Sequence, residues 1–486
     1  MQKHLNFLFW LLVVIVISRL FSMAILPMIG TSEARYAEIA RIMSESGDWI
    51  TPWFDYDVPF WGKPPLSFWL EAISFNIFGI SEFSARLPSW LVNLGILALI
   101  YHLTRYLAGP FKALIACLLF STMSLSFTMS GAVLTDPFLA LGTSLSLVSV
   151  IFAMRQPLSN WRWWFFVGLA IGLLAKGPLA LVLVGGPLFM WMIWRRRWRD
   201  LFANLPWFRG LLLTVLTVLP WYLLAEFKTP GFINYFIIGE HFFRFIDPGW
   251  SGDLYGDAHK QPYGTIWVYW LWSTFPWGPL AVIALLLRYF KRKTNNSRLK
   301  LTDEQRLLVL SSLFPSLFFT FSGNILWTYQ LPALIPLAIL IVQYIPNSLP
   351  STNFGKLTVV SSVSFVPLLL MVLGFYGYFY PEKLKTEKTL VAYYKKDKKE
   401  SNSELIYMGK LPFSARFYSK GRVSTKTIEE LKTLLDENDG TIYYIAVPSK
   451  NIDNVMNSFF GMASVVATNK RFSLLKIVKS SVLSQV

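Results

Sequence analysis

The side chains able to do chemistry in this sequence gather at the ends of apolar runs. Glu33 and Arg35 open the stretch "SEARYAEIARIM", just after the first such run. Lys63 follows in "DWITPWFDYDVPFWGKPPL", Asp136 in "LTDPFLA" and Lys176 in "AKGPL". Glu240, His241 and Arg244 lie within one helical turn of "GEHFFRFIDPGWSGD". A carboxylate in such a place can hold a polar substrate or take a proton from a hydroxyl. Lysines and arginines can hold a phosphate and stabilise negative charge growing on it. Lys63 is fixed between Gly62 and Pro64-Pro65, which makes it a poor snorkelling anchor and a good point charge for a phosphate at headgroup depth.

Each of these residues also has a purely structural role open to it. From Ser32 the apolar residues Tyr36, Ile39, Ala40 and Met43 recur with helical period. That pattern predicts an amphipathic helix capped by Ser32, with Glu38, Arg41 and Glu45 on a solvated face. Glu33 and Arg35 flank the apolar stripe, so a helix lying flat on a membrane would aim both at the protein–lipid boundary. Asp136 ahead of Pro137 has the form of an N-cap followed by proline at the first helical position. Lys176 suits a snorkelling lysine at a span boundary, and Glu240 with Arg244 an ordinary i,i+4 pair.

The elements that must position these groups are membrane helices. Of 486 residues, 54% are hydrophobic and only 15% charged, against about 25% charged in a soluble domain. Apolar runs near the roughly 20 residues needed to span a bilayer recur to about residue 380. The spans fall at 5–27, 88–106, 112–131, 137–154, 161–175, 178–194, 207–225, 264–288, 304–322, 331–346 and 356–380, and other divisions near residues 131–180 extend the range to 11–13. The run 5–27 is too long for a signal-peptide core and is expected to remain as the first helix.

The net charge of +17 does not call for nucleic acid. The basic residues concentrate in short loops, notably "RRRWR" (Arg195 to Arg199) and "KRKTNNSRLK" (Lys291 to Lys300), which share one side when the N-terminus is cytoplasmic. The other side then receives the loop 28–87, the turns at Asp136 and Lys176, the loop 226–263, the turn "SGNILWTYQ" and everything beyond residue 381. Residues 381–486 are polar. There "ELIYMG", "TIYYIAV" and "RFSLLKIV" predict strands and "STKTIEELKTLLDEN" a helix, a small α/β domain. The single cysteine, Cys117, lies in an apolar run and suits a buried hydrophobe, with no partner for a disulfide.

Taken in order, "EARYAEIARIM…GDWITP", "GKPPLSFWL", "SARLPS", "LTDPFL", "KGP" and "EHFFRF" resemble the bacterial aminoarabinose transferases that modify lipid A. More broadly they resemble the dolichyl-phosphate-mannose-protein mannosyltransferase superfamily, over about residues 5–345. The resemblance implies a polytopic α-helical membrane protein of GT-C fold, with 11–13 transmembrane helices, interfacial periplasmic helices and a small C-terminal α/β domain. Residues 1–380 would be the transmembrane domain and 381–486 a periplasmic one. It implies a polyprenyl-phosphate-linked sugar as donor, lipid A or a glycan or protein as acceptor, and transfer at the outer face of the inner membrane by a monomer. Glu33 and Arg35 fall in the family's acidic-x-Arg signature, Lys63 at its phosphate-contacting lysine, Asp136 at a second aspartate position, and His241 and Arg244 in its His-x-x-Arg segment.

Two departures stand out. Ser32 occupies the first of two acidic positions, and Gly62 replaces a glutamate before Lys63. That glutamate and the histidine form the pair associated with a metal, so no cofactor is expected to be required and His241 remains as a lone divalent-metal candidate. For the reaction itself, Lys63, Arg35, Arg244 and Lys176 are expected to bind the donor phosphate. Glu33 and Asp136 compete for the carboxylate role, with Glu33 expected nearer the sugar. The rival class is a lipid-linked-sugar flippase, which would need polar or broken helices near mid-membrane.

Overall fold

The computed structural model describes residues 2–196, 198–256, 259–292, 301–347, 353–397, 403–436, 441–459 and 462–477. Arg197 and residues 293–300, which belong to the two basic runs, lie outside them. Each of the eleven expected spans coincides with a helix or helix pair, beginning with Gln2–Ile25 and Glu82–Ala108 and ending with Leu331–Gln343 and Asn353–Phe379. Five of the helices are individually long and apolar enough to cross a membrane, and a sixth span is a pair bent by 101° between Thr274 and Trp277. Shorter apolar helices, such as Pro110–Thr122 and Leu179–Arg195, fill the bundle between them.

Two helices meet so closely that their sequence must be small at the contact. Asp136–Arg155 and Trp161–Lys176 form a tight hairpin, and a Cβ added at Gly142 would lie 2.7 Å from the Gly168 carbonyl. Only glycine permits that approach. The hairpin brings the start of one helix, Asp136, beside the end of the other, Lys176.

The long loop after the first helix is itself packed. Its helix Ser32–Ser46 lays Ala37, Ile39, Ala40 and Met43 against Phe68, Ala72 and Phe75 of helix Leu66–Phe78, with Phe60 from the hairpin Trp53–Asp55/Val58–Pro59 closing the cluster. Two expectations fail here. Ser32 is the first helical residue and the helix has no side-chain cap. Of the face expected in water, Glu45 stays exposed but Glu38 and Arg41 are buried, because helix Phe413–Ser419 of the C-terminal region packs over them. Glu38 and Arg41 are each only 1% exposed. Arg41 donates to Glu38 at 2.7 and 2.8 Å and to Glu45 at 2.5 Å. Periodicity identifies an outer face but not what covers it.

Beyond residue 381 the chain builds a five-stranded mixed sheet. Its spatial order is Ser424–Lys426, Ser403–Met408, Ile442–Pro448, Phe472–Ile477 and Ala463–Thr468. The first three strands pair in parallel and the last two add antiparallel. The expected helix shortens to Ile428–Asp436, opened by a reciprocal Thr427/Glu430 capping box, while its leading residues form a strand instead. The sheet is anchored to the bundle by Arg416 to Asp55 at 2.7 Å and Lys388 to Glu82 at 2.6 Å.

Replacing Arg41 by Ala would leave Glu38 buried without its countercharge, and breaking such a pair costs about 3–5 kcal/mol. The purified Arg41→Ala protein should therefore melt well below the parent in a thermal scan in detergent. An unshifted melting temperature would show that this interface does not depend on the pair.

Candidate active site

Asp136 and Lys176 meet at the top of the glycine-packed hairpin, Asp136 Oδ1 accepting from Lys176 Nζ at 2.7 Å. Both side chains are more than nine-tenths buried. The expected roles of N-cap for Asp136 and snorkelling for Lys176 are therefore wrong. Thr135 precedes the helix without a side-chain bond, and Lys176 turns inward, its ammonium 4.6 Å from the centre of the Tyr329 ring. Asp136 Oδ2 has no protein hydrogen-bond partner among the described residues.

Lys63 and Arg244, 181 positions apart in the chain, share one carboxylate. Glu240 accepts from Lys63 Nζ at 2.9 Å through Oε2 and from Arg244 Nη1 at 2.7 Å through Oε1. Arg244 also lies 3.4 Å from Asp253. Glu240 sits on the π-helix Asn234–Phe243, whose wider turn follows a reversal at Gly231 with φ of +104°. Burial raises the Glu240 carboxyl, but Lys63 and then Arg244 outweigh it and hold it at about 2. The Arg244 guanidinium is stabilised in turn: burial disfavours its charge and Glu240 more than compensates. The i,i+4 pair read from sequence is real, yet it is half of a three-residue cluster that spacing could not disclose.

His241 directs its ring nitrogens at backbone carbonyls and not at the carboxylate of this cluster. Its Nδ1 lies 2.7 Å from the Phe236 carbonyl and its Nε2 3.1 Å from the Lys176 carbonyl. Burial lowers its pKa, so the ring is neutral at pH 7. With both ring nitrogens facing carbonyl oxygens, and both Glu240 oxygens taken by cations, the residues present do not fit a metal site. Among the described residues no three His, Cys, Asp or Glu side chains converge on a common point. The metal candidacy of His241 is withdrawn on that donor geometry.

Glu33 and Arg35, neighbours in sequence, diverge. Arg35 reaches toward Gly256, donates to the Tyr255 carbonyl at 2.5 Å, and lies over the Tyr36 and Phe60 rings. It has no carboxylate partner among the described residues. Glu33 turns the other way, accepting from Arg86 Nε at 2.8 Å and Nη2 at 2.9 Å. Both side chains are engaged by protein groups, and Glu33 is not among those that line the adjoining cavity.

That cavity, of about 930 Å³, lies between the bundle and the C-terminal sheet. Arg35, Lys63, Lys176, Arg244, Lys410 and Arg471 line it, against three carboxylates, Asp136, Glu240 and Asp253. Lys63, Lys176, Glu240, Arg244 and Tyr329 also border a side pocket of about 150 Å³ whose other walls include Leu179, Val182, Phe245, Phe318 and Phe319. The structure thus brings together Arg35, Lys63, Asp136, Lys176 and Arg244. Sequence reasoning missed Glu240 as a shared counterion, Arg86 as the partner of Glu33, and the two C-terminal cations. Arg86 could have been found, since it stands in the quoted "SARLPS" segment.

Fold and site together define a multi-pass membrane protein of GT-C fold. A sequence-family model for dolichyl-phosphate-mannose-protein mannosyltransferase matches residues 6–236. An undecaprenyl phosphate-alpha-4-amino-4-deoxy-L-arabinose arabinosyl transferase of Pseudomonas fluorescens (strain Pf0-1) is 33% identical over 70% of this chain and 59% of its own. The transferase of that name from Shewanella sediminis (strain HAW-EB3) is 30% identical over 71% and 61%. The chain thus spans about three fifths of the length of these curated relatives. Among solved structures, ArnT from Cupriavidus metallidurans bound to undecaprenyl phosphate superposes over 98% of both chains with a TM-score of 0.76 at 17% identity. The archaeal oligosaccharyltransferase AglB from Archaeoglobus fulgidus aligns over 96% of this chain and 74% of its own with a TM-score of 0.50 at 10% identity. In sequence the chain is thus similar to these arabinosyl transferases, and in fold to both solved structures.

The Glu240 cluster carries a pH signature. Its carboxyl ionises at about 2 in the fold against an ordinary 4.5, so its stabilisation is complete above 4.5 and fades as pH falls toward 2. The melting-temperature gap between parent and Glu240→Gln should be constant from neutral pH down to about 5 and narrow below that. A gap that is flat throughout the acid range would show that Glu240 is not the ionised partner of Lys63 and Arg244.

Proposed function

We propose that this protein is an integral membrane glycosyltransferase that moves a sugar from a polyprenyl-phosphate donor to an acceptor outside the cytoplasm. The observation that carries the reading is the cavity itself, where six cationic side chains outnumber three carboxylates at one end of the helix bundle. Such a wall suits an anionic ligand. The apolar side pocket beside Lys63, Lys176 and Arg244 gives the first isoprene units a place to lie while the phosphate meets the cations. The names of the curated relatives, which use an undecaprenyl phosphate-linked aminoarabinose, support the same donor class. On the resemblance, the acceptor is lipid A or a related lipopolysaccharide component.

In the transfer, the bond between the anomeric carbon and a phosphate oxygen breaks as an acceptor oxygen bonds to the opposite face of that carbon. A single displacement of this kind inverts the centre. Negative charge grows on the departing polyprenyl phosphate, and preorganised cations in a water-poor cavity stabilise it. Lys63, Arg244 and Arg35 take that role, with Lys176 holding Asp136 in place. The unbonded Asp136 oxygen orients the sugar or takes the acceptor's proton where the acceptor is a hydroxyl. Glu33 becomes a positioning residue, because Arg86 occupies both of its oxygens. We take residues 1–380 as the membrane domain of this enzyme and 381–486 as its periplasmic domain.

With a polyprenyl-phosphate sugar and acceptor, release of free polyprenyl phosphate measures turnover. Lys63→Ala should slow it roughly a hundredfold, about 3 kcal/mol of lost charge stabilisation, without unfolding the protein. Asp136→Asn should be similarly impaired, whereas folded Glu33→Gln should keep most of its turnover and melt lower. Inactive Glu33→Gln with a parental melting temperature, beside active Asp136→Asn, would reverse the two assignments.

Orientation is tested separately. Cys117 is buried, so single introduced cysteines report cleanly. Ala203→Cys should react with an impermeant thiol reagent only from the cytoplasm and Glu429→Cys only from the periplasm. Labelling of both from one side would refute the odd number of spans.

A further inference from the structure

Three of the donor-side cations are already matched, Lys63 and Arg244 with Glu240 and Lys176 with Asp136, which leaves Arg35 as the unpaired one. Two further cations come from the opposite wall, which the C-terminal domain builds from residues 410–413 and 471–472. We infer that this wall is the acceptor-binding surface, and that Lys410 and Arg471 receive an anionic group, a phosphate or carboxylate, carried by the acceptor. The inference rests on the glycosyltransferase reading and adds to it the domain and the residues that select the acceptor.

Arg471 is held in place from behind. Glu387 is fully buried, and its Oε1 accepts from Arg471 Nε at 3.2 Å and Nη2 at 2.9 Å. Its Oε2 accepts from Tyr407 Oη at 3.0 Å and from Asn469 Nδ2 at 2.9 Å. Asn469 Oδ1 in turn accepts from the backbone N–H groups of Arg471 and Phe472, both at 2.8 Å. Every polar atom of this network locks the turn and one edge of the guanidinium. The remaining nitrogen, Nη1, has no protein partner among the described residues. An arginine whose orientation is set by a buried second layer is preorganised for a ligand.

Lys410 complements it. It follows Gly409, whose φ of +74° turns the chain out of strand Ser403–Met408, and it is exposed with no hydrogen bond or ion pair among the described residues. The wall does not swing freely. Lys388 and Tyr418 both donate to Glu82, at 2.6 and 3.0 Å, and Tyr418 Oη accepts from the Met28 backbone at 2.8 Å. An anchored arginine and an unpaired lysine on the wall across from the donor cluster favour an acceptor whose own charge faces the sheet.

The full-length protein is assayed with a polyprenyl-phosphate sugar and two probe acceptors, bisphosphorylated lipid A and the same lipid dephosphorylated. The parent should prefer the phosphorylated form. Lys410→Ala and Arg471→Gln should each raise the KM for it about tenfold, the loss of one charge-assisted contact, with kcat and donor KM unchanged. Arg471→Lys should recover part of the loss, and Lys410→Glu should abolish the preference. An active parent whose acceptor KM is unaffected by these changes, or variants in which donor KM rises instead, would overturn the inference. A parent that releases no polyprenyl phosphate with either acceptor would overturn the glycosyltransferase reading, and this one with it.

Discussion

Arg86 holds the outer end of the helix bundle together. Its guanidinium donates to the carbonyls of Met23, Leu26 and Pro27 at 2.7, 2.5 and 3.0 Å, satisfying the C-terminal end of the first helix. The other donors go to Glu33, whose carboxylate also lies 3.4 Å from the Val133 backbone N–H. One buried cation thus joins the first helix, the start of helix Ser32–Ser46 and the segment leading to Asp136. Exposed carbonyls and an unpaired arginine at the membrane edge would both be costly, since no water is at hand to replace their partners. The divergence of Glu33 and Arg35 follows from this. Once Arg86 has drawn Glu33 down into the bundle, the helix turn puts Arg35 on the side of the cavity.

The same economy governs the cavity floor. Lys63, Lys176 and Arg244 would repel one another if they converged unaccompanied. Glu240 and Asp136 pair with them and hold them in place. Preorganisation leaves two carboxylates beside the cations, which the proposed phosphate ligand must tolerate. Arg35 and Lys410, without carboxylate partners, supply the surplus positive charge. Charge gathered at one end of the bundle, beside a cavity closed by a second domain, suits chemistry on a lipid-linked substrate at the membrane surface. It does not suit passage through the membrane.

The helices and three of the five C-terminal strands were legible because their signals are local. Spans are long apolar runs, and "TIYYIAV" is a short apolar run of β-formers. The candidate cations were legible too, since Lys63 between glycine and prolines and Lys176 at a span end are unusual placements on chemical grounds alone. What misled was the surroundings. The stripe from Tyr36 to Met43 marks a buried face correctly, but the opposite face is covered by residues 413–419, almost 370 positions later. The Asp-Pro at 136–137 has the form of a helix cap, and only the glycine-mediated approach of the next helix supplies the lysine that engages it.

By itself, then, the sequence determined the membrane helices, their order, the polar terminal domain and the residue types available for phosphate chemistry, because hydropathy and helical period act over tens of residues. Tertiary structure alone decided which of those residues meet. Glu240 with Lys63, Asp136 with Lys176 and Glu33 with Arg86 are all contacts between distant segments, and Lys410 and Arg471 come from the far end of the chain to line the same cavity. Charge pairing in a low-dielectric site depends on distances of a few ångströms, and no spacing along the chain encodes those.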